Sequence, residues 1–343
     1  MVFSINNLNI DKSNTPKTFI NKTEQIYSEN SSIFFEMLDM ISQENKQFYS
    51  SFNNIFSVKE GYGTEFLKNT ISKIDFKKIL NKLLTSFVDL LNKAWDNIHA
   101  FLLNLFGNKQ VIAMYKDKLK NVNIGIDFEE TRYIYTNLGM NTSYTSFRNE
   151  LEKEFSNLIL DLSKFRSFST REEVILNIQK IKDDISSQTD YYDILRGRIL
   201  GKRDVIQKEQ FTTELFKYFR NDSVEYKNRI EPKEINMISE RYFNYQKTIK
   251  EIERDKSDMI KASKKLQRDI NSISLESYTD VVYPDLVNNI FVDILSDKSK
   301  RINETCNLYL QLFAAKLDAV KERYIQDQKI LVKVIKETIR EGQ

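Results

Sequence analysis

Breakers of regular structure are scarce in this chain: eight glycines and three prolines serve 343 residues. Turns between strands are built on Gly, Pro, Asn and Asp at set positions. A chain so poor in Gly and Pro has few connections to spend, so long helices with short joints are the architecture left to it. The apolar residues agree. From Phe19 to about Ile55 they recur at helical spacing, through Ile26, Ile33, Phe34, Met37, Leu38, Ile41, Phe48 and Phe52. Gly61 and Gly63 interrupt that pattern. A long helix is expected from about Glu65 to Phe106, with Gly107 placed to end it, and a shorter one over Lys109–Lys120.

The most apolar stretch lies inside the long helix. At about 100° per residue, Phe76, Leu80, Leu83, Leu84, Phe87, Leu91, Ala94, Ile98, Phe101, Leu102 and Leu105 fall within one half of the wheel. Lys78, Lys82, Asp89, Lys93, Asp96 and His99 fall on the other half. Charges interrupt every turn or two, so no run of about 20 apolar residues exists to span a bilayer. The polar face from Lys82 to Asp96 carries two Lys and two Asp, a poor match for anionic lipid. An apolar half this wide is better buried by two or more neighbouring helices. The segment is therefore expected to be a central core element. Leu84, Phe87, Leu91, Ile98 and Phe101 are its most buried positions in this reading, with Trp95 at the margin.

Residues 124–136, IGIDFEETRYIYT, form the one β-like interval: Ile124, Ile126 and Phe128 alternate, and Tyr133 and Tyr135 favour strands. A small hairpin or an extended linker is expected there. NLGMNTSYT follows as a loop. Helical patterns resume over 146–165, 170–185, 190–200 and 202–219, and Thr170 with Glu173 has capping-box spacing. GRILGKR, 197–203, has a superficial likeness to a phosphate loop. It lacks the GK[ST] ending and a preceding strand, so it reads as a turn between helices.

After Pro232 a seven-residue register holds through Ile273. Its d positions are Ile238, Tyr245, Ile252, Met259, Leu266 and Ile273; its a positions are Ile235, Tyr242, Ile249, Lys256, Ser263 and Ile270. One continuous helix over 233–275 is expected. Its seam pairs either within the chain or, as a homo-oligomer, between chains. After Pro284 a short buried helix, DLVNNIFVDIL, precedes a last helix over about Lys298–Arg340. The stripe of that last helix runs through Ile302, Cys306, Tyr309, Phe313, Leu317, Val320, Tyr324, Leu331, Ile335 and Ile339.

The expected fold is all-α: an elongated multi-helix bundle with long coiled-coil-like helices and at most a small β-hairpin. It divides into a polar N-terminal arm (1–18), an N-terminal helical domain (19–122), a linker or small hairpin (123–145) and a C-terminal helical domain (146–343). The core- or partner-packing residues are Leu84, Phe87, Leu91, Trp95, Ile98 and Phe101 in the first domain. In the second they are Ile238, Tyr245, Ile252, Met259, Leu266 and Ile273.

Chemistry is sparse. One cysteine, Cys306, and one histidine, His99, exclude an internal disulfide, a Cys/His zinc site and a two-histidine di-iron bundle. Cys306 lies on an apolar stripe, where a thiol behaves as a small apolar residue. Asp96 could orient His99 across one turn, but no nucleophile accompanies the pair. GxSxG, HExxH, Walker A and Rossmann fingerprints are absent. The chain is expected to be no enzyme, with no catalytic, cofactor-binding or metal residues. Net charge is +3. Between Arg196 and Asp269, 19 Lys/Arg face 13 Asp/Glu, an excess of six with acids interleaved throughout, so no continuous phosphate-binding stripe forms. The first residues, MVFSINNLNIDKSNTPKTF, lack a basic n-region followed by an apolar core and do not read as a signal peptide.

Richness in Asn, Ile and Lys points to an AT-rich genome, which bears on lineage and not on activity. Three stretches, LFGNKQVIAMYKDKL (105–119), GIDFEETRYIYTNL (125–138) and YLQLFAAKLDAVKERYIQDQKILVKVI (309–335), together resemble uncharacterised head-associated or internal virion structural proteins of large tailed phages. The resemblance rests on hydrophobic spacing and a few turn residues over about a quarter of the chain. It implies a non-enzymatic virion component, inside the capsid or attached to it, with other virion structural proteins as partners. Outside the virion, the cytoplasm of the producing cell is the expected location. Two other readings stand beside it. One is a membrane-active, pore-forming toxin-like protein using 76–106. The other is a nucleic-acid-associated scaffold using the basic bias of 196–268.

Overall fold

The computed structural model describes residues 33–56, 76–107, 109–135, 144–164, 169–220, 224–273 and 283–340. The expected arm over 1–18, the breaks at Gly61 and Gly63, and nearly all of NLGMNTSYT lie outside them.

Among the described residues the protein is an all-α bundle of eleven helices with one small two-stranded antiparallel sheet. In chain order these are α1 (Ile33–Phe56), α2 (Phe76–Gly107), α3 (Lys109–Met114), α4 (Lys116–Lys120), β1 (Ile126–Tyr135), α5 (Thr145–Lys164), α6 (Arg171–Ser186), α7 (Gln188–Ile199), α8 (Lys208–Arg220), β2 (Val224–Ile230), α9 (Pro232–Phe243), α10 (Tyr245–Ser272) and α11 (Pro284–Arg340).

The axis of the bundle is α11, a single helix of 57 residues, about 85 Å long at ~1.5 Å per residue. The two separate helices expected after Pro284 are thus one. Pro284 opens it at the first-turn position, where a missing N–H costs nothing, and Tyr283 before it takes a positive φ of 63°. No glycine or proline interrupts the sequence from there to Arg340. Between Arg301 and Val334 this helix is apolar on several faces at once. Leu308, Tyr309, Leu310, Leu312, Phe313 and Leu317 are all buried, as expected of a helix enclosed on every side. Helices α1, α2, α5, α6, α7, α8 and α9, and strand β1, all pack on it.

The 76–106 helix, expected as a central core element, packs on this axis and does not itself form it. α2 is one layer out, buried against α1, α10 and α11. The sequence of α2 shows one wide apolar half; α11 has apolar residues around its whole circumference, and the second pattern marks the centre.

The expected single helix over 233–275 is two, α9 and α10, broken at Asn244 and not at Lys256 or Ser263. The Asn244 N–H is shared between the carbonyls of Glu240 (3.1 Å) and Arg241 (3.2 Å), a tightened last turn at a residue type that favours turns. The seam of α10 packs inside the chain, against α2 and α5. The homo-oligomer through 233–275 is corrected on this ground: the residues that would form its interface are already covered.

The expected hairpin near 124–136 is also corrected. β1 does not fold back on its neighbour. It pairs antiparallel with β2, about a hundred positions later, in the register Ile126↔Ile230, Asp127↔Arg229, Tyr133↔Tyr226 and Tyr135↔Val224, with an irregularity between Asp127 and Arg132. Val224, Tyr226 and Ile230 lie on alternate positions of VEYKNRI, a period-2 signal diluted by its charged residues.

Candidate functional site: the polar contacts of α11 and an adjoining cleft

A helix buried along most of its length must satisfy every polar side chain it carries. α11 meets much of this demand by reaching neighbouring helices along its length. Asn303 and Asn307 donate from Nδ2 to Asn45 Oδ1 of α1, both at 2.9 Å. Tyr309 donates its hydroxyl to Ser146 of α5 at 2.9 Å. Lys316 Nζ meets Asp255 Oδ2 of α10 at 2.5 Å. Asp318 accepts from the backbone N–H groups of Ile33 (2.9 Å) and Phe34 (3.0 Å), at the start of α1. Tyr324 donates to Thr248 of α10 at 3.2 Å. Asp327 receives the Arg241 guanidinium of α9 in two bonds, from Nε (2.8 Å) and Nη2 (2.5 Å).

Toward the start of α11 the contacts are denser in charge. Lys298 Nζ lies among Asp297 (3.6 Å), Asp161 (3.7 Å) and Glu154 (4.0 Å). Arg301 bonds Asp297 at 2.9 Å, donates to the carbonyl of Asp184, and stacks over the Tyr191 ring at 4.6 Å. Burial raises the pKa of the Asp297 carboxyl against the pull of Arg301 and Lys298. Asp327 and Asp255 are raised for the same reason, against Arg241 and Lys316 respectively. Among the described residues, no group of three or more His, Cys, Asp and Glu is arranged to hold a metal ion.

Beside Asn303 and Asn307, helices α1, α2 and α11 part to leave a cleft of about 320 Å³. Leu83, Phe87, Cys306 and Leu310 supply its apolar floor, and Lys78 and Lys82 line it from one face of α2. Burial pushes the Cys306 thiol well above the usual thiol range.

The packing residues read from the sequence divide by depth. Leu84, Phe87, Leu91 and Ile98 of α2 are buried, as are Ile238 of α9, Ile252, Met259 and Leu266 of α10, and Ile273 just after it. Trp95, Phe101 and Tyr245 are half-buried. Phe101 lies under the Lys321 ammonium, 5.3 Å from its ring centre. Trp95 joins the two groups: Lys256 lies over its ring at 5.0 Å and His99 stacks at 5.4 Å. Ser263, the other polar a position, turns its hydroxyl back to the Met259 carbonyl at 2.9 Å. The polar contacts of α11 escaped the sequence reading, because a charged residue on a buried helix looks like one on a solvated face until its partner is placed. GRILGKR ends α7: Gly201 takes a φ of +65°, and a Cβ on Gly197 would meet the Asp204 carbonyl at 2.8 Å.

Comparison with known proteins adds one relative. The chain is 24% identical over 260 residues to the Lamassu protein LmuB of a Bacillus species, a match covering 68% of this chain and 45% of the relative. The chain thus spans less than half the length of the curated relative it matches. That relative is a bacterial anti-phage defence protein. No family model matches the chain, and no solved structure matches it.

This relative overturns the resemblance to phage virion structural proteins and what followed from it: the virion role, the capsid association, the virion partners and the virion location. Hydrophobic spacing and turn residues recur in any long helix, and the residues aligned over most of the chain lead to a defence protein instead. The membrane-active reading is corrected too. The apolar face of 76–106 packs against three helices, and no helix among the described residues is long and apolar enough to cross a membrane. The nucleic-acid scaffold falls with the same relative, and several cations of 196–268 already face carboxylates, Arg196 and Arg241 in largely buried pairs and Arg198, Arg229 and Lys265 at the surface. Arg196 pairs with Asp193, Arg198 with Glu150, Arg229 with Asp127, Arg241 with Asp327 and Lys265 with Glu152.

Proposed function

We propose that this chain is a non-enzymatic helical component of a bacterial anti-phage defence system, acting through its packed body and not through turnover. The similarity to Lamassu protein LmuB over 260 residues carries the reading. The placement of the chain's few reactive groups supports the non-enzymatic part. The Cys306 thiol is buried with its pKa raised, and the His99 ring stacks on Trp95. The ionisable groups of α11 engage partners on neighbouring helices, as a scaffold requires.

Phage plating tests the proposal. The chain is expressed with its neighbouring genes in a susceptible bacterium, and a panel of tailed phages is plated with and without it. The expected result is that plating efficiency falls at least about tenfold for some phage, and that deleting this chain alone restores it. Equal plating of the whole panel in both strains would overturn the reading.

A further inference from the structure

We propose that the outer face of α10 is a docking surface for an acidic helix of a partner protein. α10 carries eight Lys and Arg against five Asp and Glu, and along the sequence the two signs are interleaved. The helix sorts them by face. Lys247, Lys250, Arg254, Lys261, Lys264 and Arg268 fall within about 100° of its wheel. All six are exposed, on the side opposite the buried Ile252, Met259, Leu266 and Ile270. They follow one another at alternating steps of three and four residues, with Ser257 filling the one other place in the line. Such a line runs almost straight along a helix, here for ~32 Å at ~1.5 Å per residue.

A helix face meant only for water sets its acids three or four residues from its cations. This line does the reverse. Lys247 and Lys250, Lys250 and Arg254, Lys261 and Lys264, and Lys264 and Arg268 are like-charged neighbours at those spacings, and each pair repels. Among the described residues, Lys247, Lys250, Arg254 and Lys264 are in no ion pair, and Lys261 holds only the exposed Asp258, at 3.5 Å. The cations of α10 that lie off the line are engaged: Lys265 pairs with Glu152 at 2.6 Å, and Lys256 lies over Trp95. A row of carboxylates at the same spacing answers the whole line. Its margins select what carries them. Glu253 stands on one side of the line, and Glu251, Asp258 and Asp269 stand on the other. A helix acidic along one line and basic at its flanks complements both the line and its margins. The major groove of duplex DNA, about 12 Å wide, would set phosphates against the marginal acids. No aromatic residue stands on the line to stack the bases of a single strand.

The purified full chain is titrated calorimetrically, at ~20 mM salt, with a helical peptide of about 25 residues that carries Glu in the three–four repeat, Lys on the two flanking lines and Ala elsewhere. A peptide of the same composition in scrambled order and a DNA duplex of ~25 base pairs are titrated alongside. The ordered peptide is expected to bind with a Kd tighter than about 100 μM, at least about fivefold tighter than the scrambled one, and to be released at ~0.5 M salt. Lys250→Glu, Arg254→Glu, Lys261→Glu and Lys264→Glu together should weaken it at least about tenfold. Lys180→Glu with Lys182→Glu, exposed on α6, should leave it unchanged. Gln at the same four positions of α10 removes the charge without reversing it, so the test stands even if the reversed variant fails to fold. The proposal is overturned if the ordered peptide binds no better than the scrambled one, if the changes on α10 have no more effect than those on α6, or if the duplex binds more tightly than the peptide. Binding to the isolated chain is read separately from phage plating, so the surface and the defence reading can fail independently.

Discussion

The Asp318 carboxylate, midway along the axial helix, caps a helix 284 positions earlier by accepting the backbone N–H of Phe34 at 3.0 Å, and that of Ile33 at 2.9 Å. A helix start leaves unpaired N–H groups and a partial positive charge, and an anion at that point answers both. Here the anion comes from the far end of the chain, so the cap also fixes the position of α1 against α11. Asp318→Ala is expected to cost about 1–2 kcal/mol. Amide exchange should accelerate in the first turn of α1 and not in α2. Unchanged exchange at Ile33–Met37 would contradict the capping role.

The helices were legible in the sequence because their cause is local. Gly and Pro scarcity, the wide apolar half of α2 and the Thr170–Glu173 pair each act within a few residues. The capping box forms as its spacing indicates, with the Glu173 N–H donating to Thr170 Oγ1 and the Thr170 N–H donating to Glu173 Oε2. What was not legible is non-local. The partner of β1 lies about a hundred residues away in a segment rich in charge, and nothing local distinguishes the Lys316 that meets Asp255 from a lysine in water. The break at Asn244 was hidden because the heptad register continues across it in Tyr242, Tyr245 and Ile249. The cleft depends on how three helices part, which no periodicity encodes.

The Arg241–Asp327 pair is nearly enclosed, and Asp327 itself is only 1% exposed. Removing one partner strands a buried charge, so Asp327→Ala should destabilise by about 3–5 kcal/mol. Replacing both, as Arg241→Met with Asp327→Leu, should recover most of that loss, because a well-packed apolar pair avoids the desolvation cost. Denaturant titration of the three variants measures it. A double variant as unstable as the single one would show that the pair contributes more than its own compensation.

Leu91 has no exposed surface in α2, and Ile252 has none in α10. Either one changed to Asp places an unpaired carboxylate against apolar neighbours. Leu91→Asp should unfold the region around α2. Ile252→Asp should lower the melting temperature with no change of oligomeric state on a sizing column, because its seam faces α2 and α5 inside the chain. Loss of a larger species on the column would restore an intermolecular seam.

Stability should be highest on the acid side of neutrality. Burial raises the carboxyl pKa of Asp255, Asp297, Glu304 and Asp327, outweighing their cationic neighbours. A carboxyl raised in the folded state contributes stability that is fully present below its unfolded pKa, about 4, and lost as pH rises through its folded value. Glu152, lowered by hydrogen bonds from Lys265 and Arg148, and Glu173, lowered by the backbone N–H groups of Ser169 and Thr170, act in the opposite sense. Their contribution is present above about pH 4 and fades as pH falls through their lower folded values. Calorimetric melting should therefore give a higher Tm near pH 5 than near pH 8, with a decline at strongly acid pH. A Tm that climbs steadily from pH 5 to pH 8 would show that the buried carboxylates are net stabilising when charged.

Hydrogen exchange on the full chain, resolved along α11, measures whether that helix is the axis on which the other elements are assembled. The backbone from Ile302 to Leu331 should exchange more slowly than any other stretch, at the rate of global unfolding, since opening it requires displacing helices on every side. α2 should follow, and α6, whose Ile175 and Leu176 are exposed, should exchange faster. Exchange in α11 as fast as in α6, or slowest protection centred on α2 instead, would contradict an organisation built around the C-terminal helix.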